Sequence, residues 1–356
     1  MIKRSKHIEI VRSSTKVLSS ISQMSAKAIL NVLSKHFSDV GITVINDVSD
    51  LEMLKLKQPD LVFMGMQFVP ENIKLAIEDP NGIWLSDYLD NQGIAYTGSG
   101  QSAHKLERNK PLAKQHILQT NLRTSSFFVI ERNQPFNNDD LTINFPLFVK
   151  PANRGGGLGI DGDSVVYTFE QLQAKVCRIH DISGSDALVE QYLEGREFSV
   201  AILKEEFSGD YSVMPIELIA PQDKNGCRIL TSKVKSSNIE KASLVYDDDV
   251  KSKVMTLALN VFLALGARDY GRIDIRLDSA GIPNFLEANL IPSLISGYGS
   301  FPKACELNTG MDYESMLIRI TNLGLSHRTD KTNMLFDGVN LDNTTHLAKE
   351  IAFAKL

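Results

Sequence analysis

Over residues 1–103 the apolar positions switch repeatedly between a period of two and a period near 3.6, the spacings that gather side chains on one face of a strand or of a helix. "HIEIVRSS" alternates as a strand, and "SSISQMSAKAILNVLSKHFSDVG" carries the stripe of an amphipathic helix. "GITVIND" is a second strand. "PDLVFMGM" is a third, and its unbroken apolar run predicts burial on both faces, as in a parallel sheet. "NGIWLSDYLDNQG" reads as a helix stopping at Gly93, followed by the strand "IAYTG". Strands and helices in this alternation predict an open parallel α/β domain.

The next stretch, "TGSGQSAH", reads as a loop at a domain boundary. The helix "NKPLAKQHILQTN" follows, with Asn109 as N-cap and Pro111 where an early-turn proline is tolerated. Beyond Ser125 come a strand, a glycine-rich loop, the helix "TFEQLQAKVCRIH" and the strands "DALVEQYL" and "EFSVAILK". A third region holds "YSVMPIELIA", a polar segment around "SKVKSSN", the long helix "DDVKSKVMTLALNVFLALG" and a hairpin. The hairpin is "YGRIDIRL", a turn "DSAG", and "PNFLEANL". The expected divisions are residues 1–103, 104–195, 196–325 and, after "ESMLIRITNLGLSHR", an appendage over 326–356. No repeat of fixed period and no low-complexity segment interrupts them.

Composition narrows the class. The 356 residues are 43% hydrophobic and 23% charged, enough to bury an ordinary core in two or three domains. A net charge of -5 and the lack of a Lys/Arg block argue against nucleic acid as a partner. No apolar run reaches the roughly 18 residues of a membrane span, and the start "MIKRSKHIEIV" is too short in apolar residues for a signal segment. Cys177, Cys227 and Cys305 are scattered without metal-ligand spacing, which fits a reducing, cytoplasmic setting.

Three stretches could carry chemistry. Along "YGRIDIRL" alternation puts Arg272, Asp274 and Arg276 on one face, with Ile273 and Ile275 opposite. On "PNFLEANL" Glu287 and Asn289 share a face, with Leu286 and Ala288 opposite. If the hairpin closes at "DSAG", two carboxylates, an amide oxygen and an arginine gather on one surface. Such hard oxygens suit Mg²⁺ carried with phosphates. An amphipathic hairpin with solvated charges would give the same alternation. In "LVEQYLEGREFSV", Glu190 precedes an extended segment whose backbone could bond an adenine edge, and Glu197 could accept from ribose hydroxyls. A strand–turn–strand with surface acids reads the same way. In "VKPANRGGGLGI", Lys150 ends an apolar strand and four glycines crowd the following loop, so backbone N–H groups could approach an anion closely. It is neither a Walker A loop nor a dinucleotide fingerprint, and a mobile connector would look alike.

Together, "FVKPANRGGGLGI", "LVEQYLEGREFSVAIL", "YGRIDIRLDSAGIPNFLEANLIPS" and "GMDYESMLIRI" occur in an order that resembles the ATP-grasp superfamily, and within it the D-alanine–D-alanine ligase family. The resemblance covers roughly Tyr96 to Leu323, and the first domain by pattern alone. It implies an ATP-grasp fold, α/β (α+β) in class, with an N-terminal open parallel α/β domain and two α+β subdomains clasping ATP. Carried over residue by residue, it makes Lys110 and Lys150 phosphate contacts, Gly155, Gly156 and Gly157 the flap over the phosphates, and Glu190 with the backbone of Gln191 and Leu193 the adenine hinge. Glu197 becomes the ribose acid, Lys233 the lysine nearest the γ-phosphate, and Arg272 the arginine that steadies an oxyanion. Asp274, Glu287 and Asn289 become the ligands of two Mg²⁺ ions, or of Mn²⁺ in their place.

The substrate end departs from that family. Ser20, in "LSSISQMS", stands where the family has the acid that binds the first substrate's amino group. Gln67, in "VFMGMQFVPENIK", stands near a histidine position. Gly156 replaces a flap serine, and Val234 replaces a tyrosine. Ser293 and Ser300 remain candidate substrate contacts, Ser300 for a carboxylate. The expectation is therefore an ATP-dependent carboxylate–amine ligase that forms an amide or peptide bond through an acyl phosphate, acting on a small-molecule carboxylate and amine other than two D-alanines. A true D-alanine–D-alanine ligase of cell-wall synthesis and an ATP-binding pseudoenzyme are the alternatives. The apolar first-domain helices leave room for a homodimer, as the resemblance suggests.

Overall fold

The computed structural model describes residues 2–223, 225–237 and 239–336. Strand β1 (Arg4–Arg12) lies inside a parallel sheet, its Ile8, Ile10 and Val11 fully buried. Helix α1 (Gln23–His36) begins where the Ser22 hydroxyl accepts the Ser25 N–H, later than the pattern predicts, because a cap decides where the orphan N–H groups start. It also ends early. The stretch read as its last turn is already β2 (Phe37–Val44), paired in parallel with β1. Phe37 is buried in the core and takes an extended backbone, so packing overrides helical periodicity there.

Next come α2 (Leu51–Leu56), β3 (Leu61–Met64), the short antiparallel pair β4 (Phe68–Val69) and β5 (Ile83–Trp84), α3 (Leu85–Asn91) and β6 (Ala95–Tyr96). The sheet order β2-β1-β3-β6 is parallel throughout, as "PDLVFMGM" suggested, and all four residues of β3 are buried. Of "TGSGQSAH", residues 97–100 form a loop as expected, but the last four residues are helical. They begin α4 (Gln101–Arg108), which buries only Ala103 and His104, too few apolar positions to show a stripe. Helix α5 (Lys110–Gln119) follows, with the Asn109 side chain accepting the Leu112 N–H at its start.

The second sheet contains β7 (Phe127–Ile130), β8 (Leu147–Pro151) and β9 (Val165–Val166). Helix α6 (Phe169–Ser183) then leads into β10 (Ala187–Gln191), giving the antiparallel order β7-β10-β8-β9. Leu172, Val176 and Ile179 of α6 pack on Leu147, Val149, Ala187 and Val189.

The third sheet is built from β11 (Glu197–Lys204), β12 (Tyr211–Ile219), helix α7 (Ser232–Ser237), β13 (Lys241–Leu244), helix α8 (Asp248–Ala264), β14 (Tyr270–Leu277) and β15 (Pro283–Asn289). Its antiparallel order is β13-β12-β11-β14-β15. Alternation along β11 divides its two faces. Phe198, Val200 and Ile202 pack with Val254, Ala258, Val261 and Phe262 of α8. Ala201 and Leu203 join the core beneath helix α9 (Ser300–Thr309), with Phe301 and Ala304. Helix α10 (Tyr313–Phe336) runs back to the first sheet and sets Leu317, Ile320 and Leu323 in one core with Ile8, Leu61 and Phe63. Position 326, expected to start an appendage, lies inside this helix, and residues 337–356 are outside the described ones. Among the described residues no helix is long and apolar enough to cross a membrane.

Candidate active site

A cleft opens between the second and third sheets, walled by residues of both. One part of its wall is apolar, formed by Phe148, Ile160, Tyr192, Leu193, Ile229 and Leu230. Another is charged, with Lys150, Glu190, Glu197, Lys235, Asp274, Arg276 and Glu287. The charged groups of β11 and β14 belong to the sheet face that farther along carries Ala201 and Leu203. Ser199 sits between, its hydroxyl donating to Asp274 Oδ1 at 2.9 Å. One face thus serves as core at one end and as a polar site at the other.

The hairpin closes as its alternation predicts, with Arg272 opposite Asn289 and Asp274 opposite Glu287. A bulge shifts the register between Asp274 and Ile275, so Ile275 faces Phe285 and Leu286 is the extra residue. Leu286 was expected on the face away from Glu287. The bulge rotates it, and both side chains line the cleft.

At the inner end, the Glu190 carboxylate is shared by two buried lysines. Lys114 Nζ lies 2.5 Å from Oε1, and Lys150 Nζ lies 2.7 Å from Oε2. The Ser125 hydroxyl adds a donor to Oε1 at 2.9 Å. Burial alone would raise the Glu190 pKa, but Lys114 and Lys150 outweigh it and hold it at about 2. Lys150 is raised above its usual range: burial pushes it down, and Glu190 and Glu287 more than reverse that. Glu287 behaves like Glu190. Burial opposes its ionisation, yet Lys110, Lys150, Lys235 and Arg272 pull it to about 2. Lys110 Nζ lies 3.8 Å from Glu287 Oε2 and donates to the Arg154 carbonyl at the base of the glycine loop.

Arg272 grips Asp274 with two donors, Nε to Oδ1 at 3.0 Å and Nη2 to Oδ2 at 2.9 Å. Asn289 donates Nδ2 to Asp274 Oδ2 at 3.3 Å, which leaves its amide oxygen as the acceptor. Asp274, Glu287 and that oxygen form a hard donor set on adjacent strands. Among the described residues no three His, Cys, Asp or Glu cluster as a complete metal cage. The set therefore fits a divalent cation whose shell is finished by water and phosphate oxygens. Arg276 fixes the other end. It donates to Glu197 Oε2 at 3.0 Å and to the Tyr192 hydroxyl at 3.3 Å. The Glu197 pKa is raised, burial being the main cause, with Asp274 and Glu287 adding to it against Arg276 and Lys235.

The glycine loop reaches toward the 229–235 segment. Gly155 and Gly156 are exposed, and a Cβ at either would meet no atom within 4 Å. Gly159 differs. Its φ is +75°, and a Cβ there would lie 2.6 Å from Pro151 Cγ, so only glycine fits without movement. Arg154, at the loop's base, pairs with Glu78 at 2.5 Å and donates to the Ser183 carbonyl at 2.6 Å.

Lys233 was expected in the cleft. The structure puts Lys235 there instead and leaves Lys233 exposed, because positions two apart on a helix face about 200° apart. Val234 is half-buried beside them, its N–H donating to Thr231 Oγ1 at 3.1 Å. None of Ser20, Gln67, Val234, Ser293 and Ser300 lines the cleft. Ser20 follows β1 and Gln67 follows β3, at the carboxyl edge of the parallel sheet where such sheets hold ligands. Ser20 is exposed and its N–H donates to the Gly65 carbonyl. Ser293 lies in the loop before α9, and Ser300 opens α9. That loop touches α7, where the Tyr298 hydroxyl donates to the Lys235 carbonyl.

Lys114, Lys235, Arg276 and Glu107 were given no role from sequence. Glu107 accepts from Gln67 Nε2 at 2.5 Å, from His104 Nδ1 at 3.0 Å and from the Leu290 N–H at 2.7 Å. It thereby ties the first domain to the end of the hairpin. One signal was available for Lys114: it lies four residues after Lys110, on the same helical face.

The protein-family profile described as "D-ala D-ala ligase C-terminus" matches residues 118–322, more than half of the chain. A D-alanine–D-alanine ligase of Desulfotalea psychrophila is 30% identical over 250 residues, covering 69% of this chain and 75% of that protein. The uncharacterized protein y4sG of Sinorhizobium fredii is 30% identical over 244 residues, covering 67% of this chain and 68% of that one. In fold, the chain is similar to a D-alanine–D-alanine ligase of Bacillus anthracis complexed with ATP. The TM-score is 0.70 at 19% identity, over 92% of this chain and 100% of that one. With its parallel first sheet, its two antiparallel sheets and the charged cleft between them, the chain belongs to the D-alanine–D-alanine ligase family of the ATP-grasp superfamily, whose members are ATP-dependent ligases that form C–N bonds.

Proposed function

We propose that this enzyme joins a carboxylate to an amine through an acyl phosphate, and that its substrates differ from two molecules of D-alanine. The observation that carries the first part is the cleft itself, where an apolar slot adjoins Lys150, Lys235 and a hairpin bearing Asp274, Glu287 and Asn289, with Lys110 3.8 Å from Glu287. Adenine takes the slot between Phe148, Ile160 and Leu193, with the chain at Gln191 along its edge and Glu197 at the ribose. Lys110, Lys150 and Lys235 meet the phosphates, and Gly155–Gly157 cover them. Asp274, Glu287 and Asn289 would hold Mg²⁺, which would supply charge neutralisation for phosphoryl transfer.

The substrate carboxylate attacks the γ-phosphorus, the bond to the bridging oxygen breaks, and ADP leaves. The amine then attacks the acyl carbon, phosphate departs, and the nitrogen loses a proton. Arg272, held in a plane by Asp274, donates to the oxyanion of that second step. Closing over the phosphates, the loop would keep water from the acyl phosphate.

Ser20 and Gln67 support the altered substrate. At the carboxyl edge of the first sheet no acid stands at position 20, and the Gln67 amide is committed through Nε2 to Glu107. A pocket lacking the carboxylate partner of an ammonium discriminates against it by roughly 1–3 kcal/mol per unpaired group. The test is ADP and phosphate release with Mg²⁺-ATP across a panel of carboxylates and amines. We expect turnover with a pair other than D-alanine with D-alanine. Robust release with D-alanine alone would overturn the altered substrate, and ATP binding without ADP formation on any pair would overturn the ligase.

A further inference from the structure

We infer that Lys114 is the counter-cation that releases Lys150 to bind phosphate, a positioning role resting on the nucleotide reading above. Lys114 is fully buried in α5 and does not line the cleft, whereas Ser125, Lys150 and Glu190 do. Its ammonium donates to Thr124 Oγ1 at 2.6 Å, to Ser125 Oγ at 3.1 Å and to the Phe285 carbonyl at 3.3 Å, besides pairing with Glu190. The Phe127 and Phe285 rings lie 5.7 and 6.0 Å from it. Every proton on Nζ therefore has an acceptor within the protein, and none is left for a ligand.

The consequence lies in the charge balance. Glu190 gives one oxygen to Lys114 and the other to Lys150, so two cations share one anion and a net positive charge remains at the cleft wall. Without Lys114, Glu190 and Lys150 form a neutral pair, and a triphosphate would have to break that pair to gain the cation. Lys114 keeps Lys150 only half-neutralised. Burial lowers the Lys114 pKa to about 8, partly offset by Glu190, so it is protonated at neutral pH.

The experiment is calorimetric titration of the full chain with Mg²⁺-ATP and, separately, with adenosine. Lys114→Met is expected to weaken ATP binding by roughly ten- to a hundredfold, the range of one charged hydrogen bond, while adenosine binding stays within about twofold. The double variant Lys114→Met with Glu190→Gln removes one cation and the anion together. It is expected to restore the preference for ATP over adenosine. Equal weakening of both ligands, unchanged ATP affinity in Lys114→Met, or failure of the double variant to recover would each overturn the inference. Should Lys114→Met not fold, the double variant decides alone: a wild-type preference supports the inference, and a lost preference overturns it. Absence of ATP binding by the wild type removes the nucleotide reading itself and is distinguishable from all of these.

Discussion

Glu190→Gln is the sharpest probe of what holds the cleft together. The substitution keeps the size of the side chain and removes the one anion between Lys114 and Lys150. An amide has a single acceptor oxygen, so one buried lysine would face an NH₂ group instead of a carboxylate. The folded-state pKa of Glu190 is about 2 against an ordinary 4.5. At about 1.4 kcal/mol per pKa unit, this corresponds to about 3 kcal/mol of stability, near the roughly 3–5 kcal/mol expected for breaking a buried ion pair. Because the folded pKa is depressed, the contribution is fully present above 4.5 and drains away as the pH falls toward 2. At about pH 3 only about 1 kcal/mol of it remains. Urea unfolding followed by circular dichroism, for wild type and variant across this range, gives the difference directly. We expect a gap of about 3 kcal/mol near neutrality that narrows on acidification. A gap that does not change with pH, or one well under about 1 kcal/mol at neutrality, would refute the reasoning.

Two further outcomes follow from the geometry of the loop and of α7. Lys235→Met should lower the rate of ADP formation by roughly a hundredfold or more, as loss of one preorganised charge does, whereas Lys233→Met should change it by less than about threefold; equal effects in a steady-state assay would reject Lys235 as the cleft lysine. Gly159→Ala, whose Cβ would meet Pro151 at 2.6 Å, should lower the melting temperature and loosen the loop to protease, while Gly156→Ala, with open space but a φ of +66°, should cost only about 1 kcal/mol; the reverse order in thermal unfolding and limited proteolysis would contradict this placement.

Much of this molecule was legible before any coordinates, where one local rule acted without competition. Alternation along β14 and β15 is such a case: Arg272, Asp274, Glu287 and Asn289 share a face because successive side chains on a strand must point oppositely. The buried run in β3 and the cap at Asn109 are others. The readings that failed did so where a second influence intervened. A bulge turned Leu286 into the cleft, the buried Phe37 ended α1 early, and α4 formed although it buries only two residues. Lys233 and Lys235 occupy one polar segment with no apolar stripe to phase it, and the folded chain brings Lys235 to the cleft wall.

By itself, then, the sequence determined most of the longer strands and helices, the oxygen-rich hairpin and the glycine loop after Lys150, because each depends on neighbours a few residues away. Only the tertiary structure decided the charge balance of the cleft. Lys114, Lys150 and Glu190 come from α5, β8 and β10, far apart in the chain. Sheet packing brings their charged ends within 3 Å, away from water, where each sets the ionisation of the next.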